Sequence, residues 1–203
     1  MAARIAILGG TFDPIHIGHL AIAEDVCWSL ATDRVIFVPT AQQPLKEQRH
    51  VATAADRLAM VQAAITDNRC FMSCDIEVRR GGVSYTVDTV RELQAEYPSD
   101  NLYFVIGADA AGDLSRWYKV NELLRMCRLA IVRRPGYELH LSDLIHELGV
   151  SADRITVIDG PALDISASEV RARLRDGRPT RYHLPPPVSA YIEQHRLYRE
   201  HDP

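Results

Sequence analysis

Short apolar runs recur along this chain of 203 residues at 5–8, 35–38, 102–106, 129–132 and 155–158, with helical patterns between them. Their β-branched-rich character predicts parallel strands buried on both faces. A sixth run, 71–78, is a weaker candidate of the same kind. The segment after Thr53 begins Thr-Ala-Ala-Asp, close to a capping box, and then sets Leu58, Val61 and Ile65 on one helix face. From Thr86 onward Val87, Val90 and Leu93 form another apolar stripe, which Pro98 stops. Strand and helix in alternation predict an α/β fold, a doubly wound parallel sheet with right-handed crossovers. Ligands of such sheets bind beyond the carboxyl ends of the strands. The proline-rich stretch 178–187 leads into a short C-terminal helix with proline at its first position, so residues 1–203 read as a single domain.

The first of those carboxyl ends carries the most specific pattern. After Ile5-Ala6-Ile7-Leu8 the chain reads Gly9-Gly10-Thr11-Phe12-Asp13-Pro14-Ile15-His16-Ile17-Gly18-His19. Two glycines after a strand predict a sharp turn whose N–H groups approach an anion, with the positive end of the next helix aimed at the same spot. His16 and His19, at i and i+3, share one side of that helix start and supply donors for a phosphate and for the charge that grows on it during transfer. Gly18, costly in a helix by ~1 kcal/mol relative to Ala, implies that something approaches the backbone closely. The alternative is an ordinary strand-to-helix turn with surface histidines.

Composition narrows the function class. With 47% hydrophobic and 25% charged residues the chain buries one sizeable core, and a formal net charge of −4 argues against a nucleic-acid backbone as partner. An anionic substrate must then be held by local donors. No leader-like amino terminus and no apolar run of ~18 residues is present, which predicts a cytoplasmic protein without a membrane partner; self-association is left open. Cys27, Cys70, Cys74 and Cys127 lack CxxC spacing and predict buried, inert thiols, with Cys70 and Cys74 straddling the start of a strand.

Ser166-Ala167-Ser168-Glu169 reads as a capping box opening a helix with Val170 and Leu174 buried. A capped start also presents N–H groups to phosphate, so structural and ligand roles are compatible. Asp109, after Gly107-Ala108, reads either as a ribose-hydroxyl acceptor or as an N-cap. Trp117 and Tyr118 read as an aromatic platform or as packing residues.

The Gly-Gly-Thr-Phe-Asp-Pro run with His16-Ile17-Gly18-His19 resembles the nucleotidyltransferase superfamily that carries an (H/T)xGH motif, and more narrowly the bacterial nicotinate mononucleotide adenylyltransferases. Matching segments span nearly the whole chain: Ser84-Tyr85-Thr86, Ile106-Gly107-Ala108-Asp109, Trp117, Arg134-Pro135-Gly136, Ile165-Ser166-Ala167-Ser168 with Arg171, and Leu184-Pro185 through Leu197-Tyr198. The resemblance implies a Rossmann-like nucleotidyltransferase fold with a short C-terminal helical portion. It implies that Gly9, Gly10, Thr11, Phe12, His16, Gly18, His19, Gly107, Asp109, Ile165, Ser166, Ser168 and Arg171 bind ATP. It also implies that Lys46, Ser84, Tyr85, Thr86, Trp117, Tyr118 and Arg134 bind the mononucleotide, whose pyridine stacks on Trp117. The family's usual threonine is Ser168 here, which keeps the hydroxyl, and its frequent histidine before the loop lysine is Leu45.

The implied reaction is adenylyl transfer from ATP to nicotinate mononucleotide, a step of NAD biosynthesis, with Mg2+ carried on ATP and no residue assigned as a metal ligand. His16, His19, Lys46 and Arg171 are the candidate catalytic residues. Alternatives are transfer to nicotinamide mononucleotide or another phosphate, and a non-catalytic nucleotide-binding module. A dehydrogenase calls for GxGxxG with an acidic residue ~20 positions on, which the run from Gly9 departs from.

Overall fold

The computed structural model describes residues 2–42, 51–133 and 140–199. In chain order they form β1 (Arg4–Gly10), α1 (Ile17–Leu30), β2 (Arg34–Pro39), α2 (Ala54–Ile65), β3 (Phe71–Ser73), α3 (Ile76–Arg80), α4 (Thr86–Glu96), β4 (Asn101–Gly107), α5 (Ala108–Ala111), α6 (Val120–Met126), β5 (Arg128–Arg133), α7 (Leu141–Leu148), β6 (Ile155–Asp159), α8 (Ala167–Arg175) and α9 (Pro186–Gln194). Every predicted apolar run is a strand, extended by a residue or two at its ends, except the sixth. That run forms a strand only at Phe71–Ser73 and then turns into α3. Asp75, at φ −92° and ψ 10°, leaves the extended region, so Ile76 enters the core from a helix instead of a strand.

The strands pair in parallel in the order β3-β2-β1-β4-β5-β6. The order reverses between β1 and β4, and the crevice beyond their carboxyl ends is the expected ligand position. Side chains alternate across the sheet. Ala6, Leu8, Val35, Phe37, Val105 and Val132 pack toward α1, α2, α8 and α9, while Ile5, Ile7, Ile36, Val38, Phe104 and Ile131 pack toward α4, α6 and α7. Two apolar layers therefore sandwich the sheet. Among the described residues no helix is long and apolar enough to cross a membrane.

Helix starts follow the sequence signals. Thr53 Oγ1 accepts the Asp56 N–H at 3.1 Å and Ser166 Oγ accepts the Glu169 N–H at 3.1 Å, and α9 opens on proline. Along α2, however, the buried face is Arg57, Met60, Val61 and Ile65, with Leu58 only half-buried. Leu174 is likewise half-buried beside the fully buried Val170.

The cysteines depart from the expectation. Cys27, near the end of α1, and Cys70, just before β3, come together as a disulfide across 43 residues of sequence. The sheet causes this meeting: Val35 at the start of β2 donates its N–H to Cys70 O at 2.8 Å, which draws the two helix–strand junctions side by side. Cys74 and Cys127 are thiols that burial pushes up, Cys127 to about 12.

Candidate active site

The site grows from the end of β1. Gly9 and Gly10 are not the turn that two glycines predict, because both remain in the strand, paired with Val38 and Pro39 of β2. The chain turns over residues 11–15 instead, with Phe12 in the left-handed region at φ 50° and a cis Asp13–Pro14 bond. Gly10 serves packing: a Cβ there would lie 2.9 Å from the ring of Phe12, which is buried against β2 and α1.

That turn ends at His16, the N-cap of α1, and His19 follows at the third helical position. The His16 backbone N–H donates to His19 Nδ1 at 3.2 Å, and the two rings stack with centroids 3.7 Å apart. An accepting Nδ1 places the proton of a neutral His19 on Nε2. Phe12 meets His19 edge-on at 5.1 Å, bracing the imidazole from the strand side. Gly18 is explained by the same cluster. A Cβ there would sit 3.1 Å from His16 Nδ1 and 3.7 Å from the Ile165 carbonyl, so the close approach comes from the protein's own imidazole and from the segment leading into α8.

Arg171 of α8 reaches this turn. Its Nη1 donates to the Asp13 carbonyl at 2.7 Å and its Nη2 to Ser168 Oγ at 3.4 Å. The N-terminal ends of α1 and α8 thus converge beside His16, His19, Ser166 and Ser168, where the positive ends of their dipoles favour an anion.

On the other side of Gly9 and Gly10 lies a cavity of about 470 Å3. Ser84, Tyr85 and Thr86 line it together with Trp117 and Tyr118, about thirty residues further along the chain. Trp117 stands edge-on to Phe104 at 5.9 Å, and Tyr85 leans on Tyr118 at 4.7 Å, so aromatic rings form a slot in the cavity wall. Ser84 also holds the wall: its Oγ accepts the Ala41 N–H at 3.0 Å and its N–H donates to Gln42 O at 2.8 Å.

Three features of this region lie outside the sequence reading. Arg57 is fully buried, donating to Thr11 O and Thr40 O at 2.6 Å each and to Ala41 O at 3.3 Å. Burial lowers its guanidinium pKa, opposed by the charge of Asp13. Glu77, buried on the cavity wall, accepts the Thr89 hydroxyl at 2.6 Å, and burial raises its carboxyl above the ordinary glutamate value against hydrogen bonds from Ser84 and Thr89. Arg116 lines the cavity as a cation next to Trp117. The one sequence signal for Arg57 was its place on the same helix face as Met60 and Val61.

The cytidylyltransferase-like family profile matches residues 7–173. The protein named "Probable nicotinate-nucleotide adenylyltransferase" of Herpetosiphon aurantiacus is 47% identical over 195 residues, which is 96% of this chain and 98% of the relative. A protein of the same name from Roseiflexus sp. is 46% identical over 98% of this chain and 99% of its own. The chain belongs to the nicotinate-nucleotide adenylyltransferase family. The structure of Plasmodium falciparum nicotinic acid mononucleotide adenylyltransferase complexed with NaAD shares the fold, with a TM-score of 0.79, 20% identity and 97% of each chain covered.

For a nicotinate-nucleotide adenylyltransferase family member, the candidate residues fall into two groups on either side of the β1 carboxyl end. The phosphate-side candidates gather at the starts of α1 and α8, and the pyridine-side candidates line the cavity. Gly107 and Asp109 sit at the neighbouring end of β4. Gly107, not Asp109, is the N-cap of α5, so the capping alternative for Asp109 fails; its carboxylate is exposed in the first turn of that helix. Lys46 and Arg134 lie outside the described residues.

Proposed function

We infer that this protein transfers the adenylyl group of ATP to nicotinate mononucleotide, forming nicotinate adenine dinucleotide and pyrophosphate in NAD biosynthesis. The observation that carries the reading is the aromatic cavity, with Trp117, Tyr118, Tyr85 and Thr86, opening beside the same Gly9-Gly10 strand end from which the His16–His19 pair emerges. A pyridine in the slot and a nucleotide phosphate at the helix ends would place the two substrates on opposite sides of one strand terminus. Family membership over nearly the whole chain supports the same activity.

The attacking group is the 5′-phosphate of the mononucleotide, already largely dianionic at neutral pH because a phosphate monoester's second pKa lies near ~6. No general base is required. The α-phosphate of ATP accepts that oxygen in line as pyrophosphate leaves, so catalysis rests on positioning and on donors aimed at the developing charge. His19 Nε2, His16 and the Arg171 guanidinium supply donors in this proposal, with Lys46 as a further cation. Mg2+ enters as part of the Mg-ATP substrate and retains water ligands. Ser166, Ser168 and the α8 N–H groups hold the polyphosphate, Asp109 the ribose, and Arg134 a ligand phosphate. The reaction belongs to the cytoplasm.

The decisive assay is pyrophosphate release by purified protein with Mg-ATP and either nicotinate or nicotinamide mononucleotide at equal concentration. Strong preference for the nicotinate compound is expected. Comparable rates with both would replace it by a dual-specificity activity, and no release with either would overturn the reading.

A further inference from the structure

Asp13 is the most heavily engaged carboxylate of the phosphate-side turn, and its third donor comes from the far end of the chain. Oδ2 accepts the Val51 N–H at 2.9 Å, and Oδ1 accepts the Ala52 N–H at 3.2 Å and the Tyr198 hydroxyl at 2.7 Å. Asp13 and Tyr198 are 4% and 7% exposed, so the hydroxyl–carboxylate bond is shielded from water. Tyr198 reaches that position beyond α9 through a backbone held in the left-handed region at φ 63°, a conformation a bulky residue adopts only when its surroundings impose it. The carbonyl of the same Asp13 receives Arg171, and His16 follows three residues later.

We propose that Tyr198 is a positioning residue for adenylyl transfer, acting through Asp13 to set the turn that aims His16 and receives Arg171. The inference rests on the adenylyl-transfer reading of this site. It needs no ionisation of the tyrosine: burial and the Asp13 carboxylate both hold the phenol protonated, as a donor. Without that donor Asp13 keeps its two backbone partners but loses its tether to the C-terminal segment, which frees the turn carrying Arg171's acceptor and leading to His16 to shift. Sub-ångström displacements of this kind reduce the rate of a positioned reaction more than they reduce ground-state binding.

Tyr198→Phe removes the hydroxyl and keeps the ring in the core. Tyr191→Phe is its comparison, since Tyr191 donates to Asp56 on α2 and not to Asp13. In steady-state assays at a temperature where all three proteins are folded, Tyr198→Phe should lower kcat about tenfold with KM for the mononucleotide within about twofold, and Tyr191→Phe should leave kcat unchanged. The histidine-ring 1H–15N spectra of apo protein supply a readout independent of any substrate: the His16 and His19 resonances should move in Tyr198→Phe and stay in place in Tyr191→Phe. Unmoved ring resonances, or equal kcat losses in both variants, would overturn the proposal and reduce Tyr198 to a packing residue. An inactive wild type with ring resonances that still move in Tyr198→Phe alone would instead remove the adenylyl-transfer reading and leave the positioning intact.

Discussion

His19 accepts the backbone N–H of His16 on Nδ1 while the two imidazoles stack, so the His16 backbone sets the tautomer of the His19 ring. The arrangement turns a pair of titratable rings into an oriented donor at Nε2 of His19. His19→Ala removes that donor. Turnover should fall ~100-fold or more, the size typical of losing one preorganised donor, with the circular dichroism spectrum unchanged. Near-normal turnover from a folded variant would exclude the role.

Trp117 is half-buried and braced edge-on by Phe104, so its indole has little freedom to collapse when the slot is empty. Trp117→Ala should raise KM for the mononucleotide ~10-fold, equivalent to about 1.4 kcal/mol, and KM for ATP by less than about twofold. Equal changes in both constants would separate this indole from the pyridine.

Glu77 supplies a pH prediction. Burial raises its carboxyl above the ordinary value of 4.5, so the folded state favours the protonated form. The stabilisation is complete below that value and is lost as pH rises through the raised one. Glu77→Gln mimics the protonated group at every pH. The melting temperature of Glu77→Gln minus that of the wild type should therefore become more positive between about pH 4 and about pH 7. A constant difference across that interval would refute the shift.

Arg57 donates from full burial to carbonyls on both sides of the β1–β2 edge. Arg57→Met fills much of the same volume but strands those oxygens without donors. Urea unfolding should show a loss of about 3 kcal/mol, in the range for breaking a buried charged hydrogen-bond set. A loss below about 0.5 kcal/mol would mean that water replaces the guanidinium.

Much of the architecture was legible because it depends on local composition. A strand buried on both faces has to be a short apolar run, and the caps at Thr53 and Ser166 satisfy donors only a few residues away. The sixth strand is shorter than its apolar run because Ile76 and Val78 are as apolar in α3 as they would be in a strand, and periodicity cannot separate the two over so few residues. Arg57 is not legible in the sequence, because a charged residue on an apolar stripe looks solvated until its carbonyl partners, 16 to 46 residues away, are known.

By itself the sequence determined the alternation of strand and helix and the caps at Thr53 and Ser166, and it singled out the turn that follows the first strand, because these follow from short-range sterics and hydrogen bonding. Tertiary structure alone decided that Gly10 and Gly18 make room for Phe12 and His16, that Cys27 meets Cys70, and that Tyr198 closes on Asp13. Each of those is a contact between segments brought together by strand order and helix packing, and the energy that selects them appears only when the whole sheet is assembled.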